Sequence, residues 1–261
     1  MSAVETPVVR SDRGCVATLT LNRPAQFNAL SADLLHAAIE SVAELAHDRR
    51  IRVVIIAGAG KAFCAGHDLR EMSDHPDEAF TRRVFQRCTD LMLGLRALPQ
   101  PVIARVHGVA AAAGCQLVAQ CDLAVAAEDA RFATSGINVG LFCATPAVPL
   151  SRTLPAKAAL ELLLTGDFID ARRAAAVGLV SRVVPAAALD ATVDALADTI
   201  AARPRAAIRE GKRFFHEQLA LPLHEAYARA TSAMVAQRFG REGVEGIAAF
   251  VEKRPPRWPA E

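Results

Sequence analysis

The sequence predicts an α/β core of about 195 residues followed by a helical C-terminal part. Three observations predict it. Short apolar, β-branched runs bounded by glycine or proline alternate with amphipathic helical stretches through the first two thirds of the chain. From residue 186 to 251 the pattern is almost entirely helical, broken at Pro204 and Pro222. Hydrophobic residues make up 52% of the 261 and are spread along the whole length, enough to bury a full core.

The elements follow in order. "CVATLTLNRP" alternates apolar and polar residues and stops at Pro24, the pattern of a strand running into a loop. "SADLLHAAIESVAELAH" sets Leu34, Leu35, Ala38, Val42 and Leu45 on one helical face, with Ser31 as N-cap. "RVVIIAG" is a continuous β-branched run, suited to a strand buried on both faces. Residues 76–97 read as a helix closed by Pro99 and Pro101, and "PVIARVHG" and "DLAVAAE" as two further strands. "KAALELLLTG" and "DARRAAAVG" are helices ending at Gly166 and Gly178, before a last strand, "LVSRVV". The division is a core of residues 1–195 and a helical region of 196–261, with no linker or repeat between them.

Composition excludes several classes. A net charge of +2 offers no footprint for nucleic acid or an anionic membrane surface. No apolar run approaches the roughly 20 residues of a membrane span, and the first residues lack the apolar centre of a signal peptide. Cysteines 15, 64, 88, 115, 121 and 143 form neither a CxxC pair nor a Cys/His cluster, which predicts no metal site, no disulfide framework and a reducing, cytoplasmic setting.

Two stretches are unusually small in side chain. "GAGKAFCAGHDL" (58–69) matches no phosphate-loop or dinucleotide pattern. "GVAAAAGCQLVAQCD" (108–122) holds nothing larger than Val109 before Cys115. Both follow a strand and lead into a helix, where backbone N–H groups lack internal partners. Side by side, two such turns aim free donors at one point, where a carbonyl oxygen gaining negative charge is stabilised. Taken alone, either is equally well a tight turn.

"LNRPAQFNAL", "GKAFCAGHDLREM", "GVAAAAGCQLVAQCDLAVAAEDARFA", "LLLTGDFIDARRAAAVGLVSRVV" and "IAAFVEKR" together, in this order, resemble the crotonase superfamily, the enoyl-CoA hydratase/isomerase family. "AAGCQLVA" and "NVGLFC" resemble a divergent branch of it. The resemblance implies a spiral of ββα units, C-terminal helices that build trimers or hexamers, and acyl-CoA thioesters as ligands in fatty-acid or acyl-CoA metabolism, with coenzyme A as part of the substrate and no separate cofactor. It implies an oxyanion hole made by the backbone N–H groups of His67 and Ala113. It implies further that Asp68, Leu69 and Arg70 line the CoA site and that adenine lies near the backbone of Cys64, Ala65 and Gly66. Phe250 and Lys253 match residues that reach CoA across a subunit interface. The lysine often found after "NRP" in the family is Ala25 here.

The family's hydratases use two glutamates. Their positions match Gln116 and Gly136 in this sequence, so both acids are missing. Hydration needs one group to take a proton from water and another to protonate carbon. An amide orients water without accepting its proton, and glycine brings no side chain. Restoring both acids is therefore expected to raise hydration, provided the turn at Gly136 admits a side chain. His67 reads either as an acid–base group or, preferentially, as a backbone donor whose ring covers ligand; Cys143 reads as a small hydrophobe before a nucleophile. Asn138 reads as a substrate contact or a turn tie, and Asp122 as structural. Two classes stay open: an enzyme using the oxyanion hole with non-glutamate chemistry, such as thioester hydrolysis, decarboxylation or isomerisation, and a catalytically weak acyl-CoA-binding or regulatory protein.

Overall fold

The computed structural model describes residues 6–259. Its first half runs β1 (Val8–Arg13), β2 (Val16–Leu21), α1 (Ala32–His47), β3 (Val53–Gly58), α2 (Leu69–Asp74) and α3 (Glu78–Ala97). Then come β4 (Val102–Val106), β5 (Val109–Ala111), α4 (Ala113–Gln120), β6 (Leu123–Ala127) and β7 (Arg131–Ala133). After a 3-10 turn over Ser135–Val139 the chain continues through α5 (Ala144–Thr153), α6 (Ala156–Thr165), β8 (Ile169–Asp170), α7 (Ala171–Ala176) and β9 (Arg182–Val184). Four helices complete it: α8 (Leu189–Ala201), α9 (Arg205–Gln218), α10 (Leu223–Phe239) and α11 (Arg241–Val251).

The main sheet has the order β1-β2-β3-β4-β6-β9, parallel throughout except for β1 against β2. A smaller sheet, β5-β7-β8, takes up the chain just after β4 and β6. Each of those strands is followed by a short strand of the smaller sheet and then a helix, giving the ββα units β4-β5-α4 and β6-β7-α5. The mixed α/β architecture and its helical C-terminal region are those predicted.

Burial follows from strand alternation. Val53 and Ile55 of β3 face α8, while Val54 and Ile56 face the larger core on the side of α1 and α3. All six β3 residues are buried, as its β-branched run requires. The buried face of α1 is Leu34, Leu35, Ala38, Val42 and Leu45, and the Ser31 side chain accepts from the Leu34 N–H at 3.2 Å. Gly166 (φ 69°) ends α6 in the left-handed region.

Four features depart from expectation. β1, whose middle is polar and exposed, carries no inward–outward alternation to read. The strands β5, β7 and β8 are two or three residues long, below what a sequence pattern resolves. The helical run also breaks at Gly240, between α10 and α11. The boundary at 195/196 falls inside α8, whose Leu189, Val193, Leu196, Ala197 and Ala201 all pack on the main sheet. By packing, the core ends at the turn before Pro204.

Candidate active site

The two small-residue turns lie directly on one another. The Cys64 N–H donates to the Val109 carbonyl at 3.1 Å, and the Ala111 N–H donates to the Cys64 carbonyl at 2.9 Å. A Cβ on Gly114 would stand 2.1 Å from the Cys64 oxygen, and one on Gly108 would stand 2.1 Å from the Lys61 oxygen. Half of the bareness of residues 108–114 is thus explained by the protein's own loop, which needs that space. Gly66 (φ +100°) sits against Ala112 and Ala113, an ideal Cβ there being 3.4 Å from the Ala113 nitrogen.

Sequence reasoning assigned no role to Asn28, which is fully buried and ties the first turn from below. Its amide donates to the carbonyls of Ala59 (2.8 Å), Ala62 (2.8 Å) and Phe63 (3.2 Å), and its Oδ1 accepts from the Arg23 N–H at 2.9 Å. An isolated asparagine in a loop motif carries no pattern that would announce this. Between the turns, His107 accepts from Arg105 at Nδ1 (3.0 Å), which leaves Nε2–H to donate to the Gly60 carbonyl at 2.9 Å.

The two amides expected as donors are uncommitted. Among the described residues, neither the His67 N–H nor the Ala113 N–H has an acceptor. Ala113 opens α4, where a helix leaves such donors free. Both residues line one cavity of about 330 Å³ together with Ala65, Leu69, Met72, Phe85, Ala112, Ser135, Gly136, Val139 and Leu141–Pro146. No carboxylate is among the described residues that line it.

The His67 ring stands edge-on to Phe85, centroids 5.0 Å apart. Its Nε2 is buried without a partner, and burial pushes the imidazole down to about 4, so the ring is neutral at physiological pH. Cys143 lines the cavity, and burial pushes its thiol up, against the opposing Gly136 N–H. Beneath it, burial pushes Cys115 up to about 12. Neither is a thiolate poised for attack.

Other expected residues are placed differently. Gln116 lies in α4, 3% exposed, outside the cavity lining, with its Oε1 buried and unpartnered. Gly136 does line the cavity, but a Cβ there would stand 2.6 Å from the Leu141 oxygen and 2.7 Å from the Cys143 Sγ. Its φ lies outside the left-handed region, so packing rather than backbone conformation demands glycine. The condition set on restoring the acid pair, that the turn at Gly136 admit a side chain, meets its obstacle in packing rather than in a positive φ. The Cys64 backbone, expected beside adenine, is spent on β5. Ala65 N–H donates to Phe27 and the Gly66 carbonyl accepts from Leu30, which leaves the Ala65 carbonyl without a donor among the described residues. The Asp68 carboxylate turns away from the cavity: it accepts from Arg23 Nη1 at 2.9 Å and from the Glu71 N–H at the start of α2. Burial pushes this carboxyl up, but Arg23 and the helix N–H groups outweigh it and hold it below the usual range. Leu69 is half-exposed at the cavity, and Arg70 is exposed outside its lining. Phe250, 84% exposed, and Lys253 lie at the end of α11 and do not line the cavity of their own chain. Asn138 packs its amide beside Gly166.

A family model described as enoyl-CoA hydratase/isomerase matches residues 11–261. This chain belongs to that family. Its family members include mouse enoyl-CoA hydratase domain-containing protein 3, 43% identical over 93% of this chain and 81% of that protein. Among solved structures, an enoyl-CoA hydratase of Mycobacterium smegmatis superposes with a TM-score of 0.95 at 52% identity, over 97% of this chain and 99% of the other. Human enoyl-CoA hydratase domain-containing protein 3 superposes with a TM-score of 0.94 at 42% identity, over 97% and 100%. These crotonase-fold relatives support a hydratase/isomerase-like protein in general terms. They also correct one expectation: the mouse, zebrafish and human relatives are named as mitochondrial, which points away from the cytoplasmic setting read from the cysteines. Scattered, reduced cysteines fit more than one compartment.

Proposed function

We propose that this family member binds acyl-CoA thioesters, with the thioester carbonyl on the N–H groups of His67 and Ala113 and the acyl chain in the adjoining cavity. The observation that carries this is the pair of uncommitted amides, held by two interlocked turns at the wall of an apolar cavity. Donors fixed before a ligand arrives stabilise a developing oxyanion without reorganising. The free Ala65 carbonyl suits an exocyclic amine, consistent with adenine at this loop. Leu69 is the residue of the 68–70 segment that meets the ligand. Three copies of the chain are proposed to assemble, as a trimer or a pair of trimers, so that Phe250 and Lys253 of one serve the site of another.

The reaction is one in which an enolate or tetrahedral oxyanion forms, within fatty-acid or acyl-CoA metabolism. Hydration by paired carboxylates is not its chemistry, because positions 116 and 136 supply none and the His67 ring is neutral with Nε2 enclosed. The same absence of a proton-transfer group favours the second reading, a binder that retains the donors with weak turnover.

Calorimetric titration with acyl-CoA, alongside turnover of a panel of CoA thioesters, tests both. No heat and no competition at millimolar ligand overturns the binding reading. Efficient crotonyl-CoA hydration by the unaltered protein overturns the assignment of chemistry. Ala113→Pro removes one donor and is expected to lower any turnover by about 10²–10³, with thermal unfolding as the control for strain at Ala112, whose φ of 48° a following proline disfavours.

A further inference from the structure

A second cleft, of about 890 Å³, lies between α9 and the core. Leu93 of α3, Val148 of α5 and Phe215 and Leu219 at the end of α9 form its apolar walls, each about half exposed. It shares no lining residue with the cavity of the two donors. α4 and α5 reach both, at opposite ends: Ala113 and Ala144 line the first, Ala119 and Arg152 the second. The charges in the second cleft do not cancel. Lys212 Nζ pairs with Asp122 Oδ2 at 2.7 Å, and the other oxygen of Asp122 faces His216 Nε2 at 3.3 Å. Arg96 and Arg152 are left over. Arg96 Nη2 donates to the His216 carbonyl at 3.3 Å, and Arg152 Nη1 donates to the Val148 carbonyl at 2.8 Å. Neither guanidinium has a carboxylate partner among the described residues, so each keeps most of its N–H donors for another acceptor.

One glycine keeps this cleft open. Gly211 stands in the middle of α9, where glycine costs helix stability, and it lines the cleft. Unlike a Cβ on Gly114, one on Gly211 would meet nothing within 4 Å. The chain's own packing therefore does not require glycine at this position. We propose that the cleft is a second binding site, for an amphipathic anion: one hydrocarbon chain along Leu93, Val148, Phe215 and Leu219, with a carboxylate or phosphate head on Arg96 and Arg152. The proposal stands independently of the acyl-CoA reading. Apolar walls of this kind are covered favourably by hydrocarbon. Guanidinium forks take carboxylate and phosphate oxygens and repel an ammonium. The volume falls within the ~300–1,000 Å³ of small-molecule sites.

The test is calorimetric titration of the full chain with dodecanoate, dodecyl phosphate, octanoate and dodecyltrimethylammonium. Both twelve-carbon anions are expected to bind, and the tighter of the two names the head group. Octanoate is expected to bind at least about tenfold more weakly than dodecanoate, having four methylenes fewer to bury. The ammonium is expected to bind at least about tenfold more weakly than either twelve-carbon anion. Gly211→Leu fills the open space and is expected to lower dodecanoate affinity at least about tenfold. Arg96→Ala combined with Arg152→Ala is expected to bring dodecanoate down to the level of the ammonium, and keeps the test decisive if Gly211→Leu does not fold. Phe142→Ala, in the cavity of the two donors, separates the sites. Dodecanoate affinity that falls in Phe142→Ala and holds in Gly211→Leu places the ligand in that other cavity and overturns the proposal. Binding of neither anion, or equal binding of anion and ammonium by the unaltered protein, overturns it as well. A change in sedimentation in Gly211→Leu with dodecanoate affinity intact assigns the cleft to a contact between copies and also overturns it.

Discussion

The core and the three C-terminal helices use the same apolar residue types and end in opposite states. α8 buries five of its residues against the main sheet. Across α9, α10 and α11 only Ala226 and Ala249 are buried, while Phe215, Leu223, Tyr227, Met234, Phe239 and Phe250 stand exposed. The difference is what lies opposite each helix. α9 is held to the core by polar bonds instead. Lys212 Nζ, its side chain 7% exposed, donates to Asp122 Oδ2 (2.7 Å), the Leu95 carbonyl (3.2 Å) and the Gln100 carbonyl (2.9 Å), and His216 Nε2 reaches Asp122 Oδ1 at 3.3 Å. Close packing therefore fixes the donor turns, and a charged anchor fixes where the C-terminal helices start.

The largest expected effect breaks the packed side. Gly114→Val drives a side chain into the Cys64 carbonyl, which is backbone and cannot swing away. A loss of more than ~4 kcal/mol, or no soluble protein, is expected in urea unfolding. Next is the anchor. Asp122→Ala strands the buried Lys212 charge and is expected to cost about 3–5 kcal/mol. Burial pushes the Asp122 carboxyl up, but His216, Lys212 and the Val102 N–H together hold it below its usual range. Its contribution is present above the ordinary aspartate value near ~4 and is lost as pH falls further, so wild type and variant converge in acid. Unfolding curves at neutral pH and below pH ~4 check both statements.

Gly136→Glu is smaller, because one of its two close neighbours, the Cys143 thiol, can move. About 1–3 kcal/mol of destabilisation is expected, and the double change with Gln116→Glu is expected to leave crotonyl-CoA hydration unimproved. A clear gain in that rate would show that the wall opens for a side chain. His67 titrates within the packed side. Because its folded value is lowered to about 4, the unfolded chain takes up the proton first as pH falls below about 6.5. Stability is thus expected to decline between those two values, and His67→Leu is expected to remove that decline in a pH series of unfolding curves. The smallest effect on intrinsic stability is on the open side. Phe239→Ser is expected to stay within about 0.5 kcal/mol when read on dissociated protein, while sedimentation shifts to smaller species. An unchanged sedimentation profile would remove Phe239 from any contact between copies.

By itself, the sequence determined the elements whose signal is local. The α1 stripe, the doubly buried β3 and the glycine end of α6 are periodicities and caps, each readable within a dozen residues. The pairing of the two small-residue turns was also legible, since both follow a strand and open a helix. Tertiary structure alone decided what those turns face. It spent the Cys64 backbone on β5, turned Asp68 to Arg23, kept the Gln116 side chain out of the cavity and filled the space beside Gly136 with Leu141 and Cys143. The physical reason is range. A residue's periodicity is set by its immediate neighbours along the chain, whereas the partner of a backbone amide, a carboxylate or an absent Cβ is set by whichever distant segment packs against it.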